Sequence, residues 1–249
     1  MKRFYKKAEI APAGAGPNTR SPRGPNGPIG AARGWVITLD NRIVKTPGRR
    51  DLLLPSAALA AAVAAEWEAQ EDEVRPALMP LTALACRTLD RDAHGRAAAV
   101  RQIADYAGTD LLCYRAAHPP ELAQRQHALW QPLVDWAVLR YDAPLEIAAG
   151  VIPKTQPPAS LRAFAAAVGA CDDFTLSALA GATAACGSLI LGLALIEGQL
   201  DAAAAFAASQ LDESFQIESW GEDAEAAARC RTLAAEIAAA ARFTALLRE

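Results

Sequence analysis

The feature that most constrains the fold of this 249-residue chain is a change of hydrophobic period near Pro55. Before it, apolar residues alternate, as in a strand with one face on a core. After it, they recur at three- and four-residue spacing, as along helices. Trp35–Leu39 and Arg42–Thr46 read as a hairpin joined by Asp40-Asn41, a pair suited to a tight turn with positive φ. In that register Ile37 faces Val44, Trp35 faces Thr46, and Trp35, Ile37, Leu39 and Val44 share one face. The next segment supplies a cover for that face. Ser56 is placed to N-cap a helix, and Leu59, Val63 and Trp67 follow on one stripe. The expected fold is α+β: a small N-terminal domain of antiparallel sheet plus helix over residues 1–72, then a larger, mostly α-helical domain over residues 73–249. Trp35 and Trp67 are expected to be structural, with Trp67 mostly buried where the first helix meets the sheet or the helical domain.

The helical part is punctuated by Pro and Gly. Pro80 opens one helix, and Gly108 stops another. Pro119 and Pro120 open a long one that runs through Trp130 and Trp136 to Tyr141 with Pro132 inside it. Leu111–Arg115 is expected to be a short strand returning to the sheet. Leu176–Ile196 carries no charge and is long enough to span a bilayer. Its first half, however, is Ala, Gly, Ser and Thr, and its flanks are acidic. It therefore reads as two buried helices broken near Gly181 or Gly187, with no stable membrane insertion. Pro12–Gly34, rich in Pro, Gly and Arg, reads as an irregular surface loop.

Charge and composition narrow the function. The net charge is −3, so the basic surplus of a nucleic-acid binder is missing. Positive charge gathers in Met1–Lys7 and Arg20–Arg50, and negative charge around Asp212–Glu225. The five cysteines include no C-x-x-C pair and read as small buried residues in a reducing compartment. His94, His118 and His127 lack metal-ligand spacing and read as surface residues, so no metal and no cofactor is expected. Ser188 does not sit in a nucleophile elbow, and no dinucleotide-binding glycine motif follows a strand.

One segment stands apart, Leu211–Asp223. Read as helix, it places Asp212, Gln216 and Trp220 on one face. Acid, amide and indole together make a poor core and a good interface. A solvated acidic face, with Trp220 plugging the core at a helix end, is the competing reading. Both stay open on the residues alone.

Five segments carry a family resemblance: Lys2–Ala8, Thr38–Pro47, Glu66–Gln70, Met79–Thr82, and Leu211-Asp212-Glu213 with Gln216 and Trp220-Gly221. Asp110–Arg115 and the Trp130, Pro132, Trp136 pattern fit as well. In this order they resemble the ATPase assembly factor 2 family, the alpha-subunit chaperones of the ATP synthase catalytic head. The resemblance implies a non-enzymatic holdase for the unassembled alpha subunit, and the free protein is expected to be monomeric. It assigns partner binding to Asp212, Glu213, Gln216 and Trp220, supported by Glu222 and Asp223. Mitochondrial members carry a presequence before the Phe-Tyr-Lys motif. Here that motif follows Met1 directly, which points to a bacterial cytoplasm, or to a mitochondrial matrix if a leader has been removed. The rival expectations are an enzyme with a hidden inter-domain site and a peripheral membrane or scaffold protein.

Overall fold

The computed structural model describes residues 1–14, 34–150, 154–221 and 223–249. They fall into two compact units, Met1–Arg91 with Arg242–Glu249, and Asp92–Ala241. Most of the expected Pro12–Gly34 loop, residues 15–33, and the expected site residue Glu222 lie outside the described residues.

In the first unit the strand β1 (Ala8–Pro12) runs antiparallel to β2 (Trp35–Leu39). The other edge of β2 is shared by β3 (Arg42–Ile43) and β4 (Leu53–Leu54), both antiparallel to it. Asp40 and Asn41 turn the hairpin at φ 47° and 66°, the tight positive-φ turn expected of that pair. The hairpin register is also as expected. Thr38 lies opposite Ile43, and the Val44 N–H donates to the Ile37 carbonyl at 2.8 Å.

Two details differ. Trp35 pairs with Leu54, not Thr46, because the chain folds back at Thr46–Arg50 and β4 takes over that stretch of the edge. The first strand β1 goes unsignalled by alternation, since Ile10 is its one strongly apolar residue. Helix α1 (Ala57–Glu68) is capped by the Ser56 hydroxyl, which accepts from the Leu59 N–H at 3.1 Å, and it buries Leu59 and Val63 completely. Trp35 and Trp67 are each half-buried. Helix α2 (Pro80–Asp90) completes the layer.

The second unit opens with α3 (Ala93–Asp105). A 3-10 turn at Leu111–Cys113 leads into β5 (Tyr114–Arg115), then α4 (Pro120–Tyr141), β6 (Ala148–Ala149) and α5 (Pro158–Ala170). The expected strand therefore does not return to the N-terminal sheet. It is cut to two residues by the 3-10 turn and pairs parallel to β6.

The uncharged stretch becomes α6 (Asp173–Cys186) and α7 (Leu189–Glu197). Gly187 ends the first at φ 66°, and Ser188 caps the second. Every residue from Leu189 to Ile196 is buried. No described helix is long and apolar enough to cross a membrane. Then come α8 (Ala202–Ser209), α9 (Leu211–Trp220) and α10 (Ala224–Leu247). The last turns of α10 belong with the first unit. There Phe243 and Thr244 are buried, and the Ser56 hydroxyl donates to the Leu246 carbonyl.

Candidate partner-binding surface

Helix α9 has a weak claim on the core, and this follows from its sequence. Of its ten residues only Leu211 is fully buried. Polar contacts hold the rest. The Asp212 carboxylate accepts from Gln126 Nε2 at 2.7 Å. Gln126 is itself 1% exposed and positioned by the Ala116 N–H, which donates to its Oε1 at 2.7 Å. Glu213 pairs with Arg229 of α10 at 3.2 Å. On the other flank Glu218 takes two hydrogen bonds from Arg125 of α4, at 2.9 and 2.8 Å, and the same guanidinium lies over the Phe215 ring. Exposed pairs of this kind each contribute under about 1 kcal/mol, so α9 is fixed in place without being deeply anchored.

The expected stripe is present. Asp212, Gln216 and Trp220 lie four residues apart along α9, with exposure rising from the half-buried Asp212 to Trp220 at 81%. An indole left that open is unusual, because Trp normally buries most of its large apolar surface. The core-plug reading of Trp220 is thereby excluded. Glu213 sits beside the stripe, facing Arg229. Asp223 is exposed and starts α10, its carboxylate accepting from the Glu225 and Ala226 N–H groups at 2.9 and 2.8 Å. Arg125, Phe215 and Glu218 join the same surface. No spacing rule reveals an Arg–Glu pair 93 residues apart.

In the first unit, four of the segments singled out in the sequence meet in space. The Asp40 carboxylate accepts from the Lys6 and Lys7 N–H groups at 3.0–3.1 Å. The Tyr5 hydroxyl donates to the Trp67 carbonyl at 2.6 Å, and Arg3 donates to the Gln70 carbonyl. Glu66 caps α2, accepting from the Leu81 and Thr82 N–H groups at 2.8 Å and from the Thr82 hydroxyl at 2.7 Å. These residues serve the architecture. His94, His118 and His127 are exposed, and among the described residues no group of three or more His, Cys, Asp or Glu side chains could hold a metal ion.

Comparison with known proteins gives a consistent result. A family model described as ATP12 chaperone protein matches residues 2–138. The crystal structure of Atp12 from Paracoccus denitrificans is 40% identical, with a TM-score of 0.86 over 99% of this chain and 98% of that one. A lysine-for-aspartate mutant of P. denitrificans Atp12p matches over the same shares with a TM-score of 0.85. The Atu1473 protein from Agrobacterium tumefaciens, a putative chaperone, is 34% identical, with a TM-score of 0.86 over 99% of this chain and 86% of that one.

Proposed function

This chain belongs to the ATP12 chaperone family, and on that premise we propose that it holds the unassembled alpha subunit of the F-type ATP synthase catalytic head until the beta subunit joins. It does so by binding alone, without turnover. An unpartnered ring subunit exposes a large apolar interface that invites aggregation, so a holdase must cover that interface and later yield it. The observation that carries this reading is Trp220, 81% exposed at the end of an acidic helix. An exposed aromatic anchor on a helix that also presents carboxylates and an amide suits a specific but reversible contact.

In this reading Asp212, Glu213, Gln216 and Trp220, with Glu222 and Asp223, face the partner. Glu213 and Glu218 meet basic side chains of the alpha subunit in exchange for Arg229 and Arg125. The test is co-expression with the alpha subunit followed by co-purification. The parent captures the subunit. Trp220→Ala and Glu213→Lys lose most of it while melting within a few degrees of the parent, and Glu213→Gln loses less than Glu213→Lys, because a misplaced like charge is worse than a missing pair. Equal capture by parent and Glu213→Lys would remove Glu213 from the interface. Lost binding together with a collapsed melting temperature would make the segment structural.

A further inference from the structure

The two units differ sharply in charge. Met1–Arg91 with Arg242–Glu249 holds 16 Lys and Arg against 10 Asp and Glu, whereas Asp92–Ala241 holds 9 against 18. The acidic surface on α9 lies in the second unit. The basic unit has a hollow of its own, about 610 Å³, lined by Phe4, Tyr5, Trp67, Ile43, Arg42 and Lys45 among others.

Three observations mark this hollow as unfinished. Phe4 is 66% exposed, although it stacks edge-on against Tyr5 with centroids 5.4 Å apart, and Tyr5 does the same against Trp67 at 5.7 Å. The row of rings ends in open solvent. The Trp67 indole N–H is buried and has no acceptor among the described residues. Arg42 is exposed with no ion pair among the described residues, and Asp40, which also lines the hollow, is held by the Lys6 and Lys7 main-chain N–H groups. Lys45 pairs with Asp51.

We infer that this hollow is a second docking site, for a partner segment that combines carboxylates with an aromatic or branched aliphatic side chain. The apolar side chain stacks on Phe4 and Trp67, and the carboxylates meet Arg42 and the positive unit around it. The partner's identity rests on the proposed function; the existence of the site does not. The chaperone then grips its client with surfaces of opposite sign, acidic α9 on one segment and the basic hollow on another, and two linked weak contacts hold more tightly than either alone. A lipid surface fits less well, since membrane-binding faces present apolar groups on an amphipathic helix rather than in a hollow. The chain's own residues 15–33 fit poorly too, because their charged residues are Arg20, Arg23 and Arg33, like-charged with the site.

The test uses the full chain and two fluorescein-labelled 12-residue peptides, one alternating Glu with Leu and Phe, the other carrying Lys in place of Glu. Anisotropy should show binding of the Glu peptide alone. Arg42→Glu and Phe4→Ser should each weaken it about tenfold or more while leaving thermal melting unchanged, as expected for exposed positions at an interface. In the co-purification assay the same two variants should reduce capture of the alpha subunit, independently of Trp220→Ala. If the parent captures no alpha subunit, the proposed function fails and the peptide result alone decides the site. Four outcomes overturn the inference: equal binding of both peptides, no loss in Arg42→Glu, a large gain on deleting residues 15–33, or flotation with phosphatidylserine vesicles that Arg42→Glu abolishes while the Glu peptide does not bind.

Discussion

Asp110 is fully buried, and its carboxylate is held by hydrogen-bond donors. It accepts from the Leu112 N–H at 3.0 Å, the Ser188 hydroxyl at 2.7 Å and the Ile190 N–H at 3.0 Å. One carboxylate thus starts both the 3-10 turn before β5 and helix α7. Burial pushes its pKa above the usual carboxylate range, and the hydrogen bonds act against that rise. Asp110→Ala leaves buried donors without an acceptor and should cost about 2–4 kcal/mol, read by urea denaturation. Close packing is tested at Gly192, where an added Cβ would lie 2.5 Å from Thr183 Oγ1 and 3.2 Å from the Thr183 backbone nitrogen. Gly192→Ala should cost about 1–3 kcal/mol.

The thiols give a pH signature. Burial, aided by the Asp110 charge, pushes Cys113 and Cys186 up to about 12. An unfolded thiol ionises near pH 8.5, so these cysteines contribute stability in full below that value. The contribution is lost as pH rises through the interval toward 12, at up to about 1.4 kcal/mol per pH unit for each thiol. Denaturation followed from pH 8 to 10.5 should show that slope in the parent and a shallower one in Cys186→Ala.

At the scale of elements, α7 and α9 are opposites. All of Leu189–Ile196 is buried, whereas α9 buries Leu211 and otherwise holds on through Gln126, Arg125 and Arg229. Opening free energy follows buried contact, so hydrogen exchange should be slowest in α6 and α7 and much faster in α9. Equal protection would contradict the view of α9 as a lightly held surface helix.

The same contrast explains what could be read from the chain. The hairpin turn at Asp40-Asn41, the Ser56 cap and the break at Gly187 are local, and local chemistry specifies them. The stripe of Asp212, Gln216 and Trp220 needed only helical periodicity. What escaped is pairing over long distance. The Trp35–Leu54 match depends on the fold-back at Thr46–Arg50, the parallel pairing of β5 with β6 joins residues 34 apart, and the Arg125–Glu218 and Glu213–Arg229 pairs leave no mark on spacing. The hollow beside Phe4 forms only once the N-terminal segment and the hairpin lie side by side.

For the molecule as a whole, a net charge of −3 conceals a basic unit and an acidic one. A partner held by surfaces of both signs should associate more slowly as salt rises, because screening removes the long-range attraction before any close contact forms. Association rates with the alpha subunit should therefore fall between 50 and 500 mM NaCl, roughly tenfold, with dissociation much less affected. The most direct measurement is hydrogen exchange of the chaperone alone and in complex with the alpha subunit. Amides of Leu211–Trp220, fast in the free protein, should slow markedly in the complex, and Glu213→Lys should remove both complex and slowing. A stable complex in which Leu211–Trp220 exchanges as fast as in the free chain would contradict it.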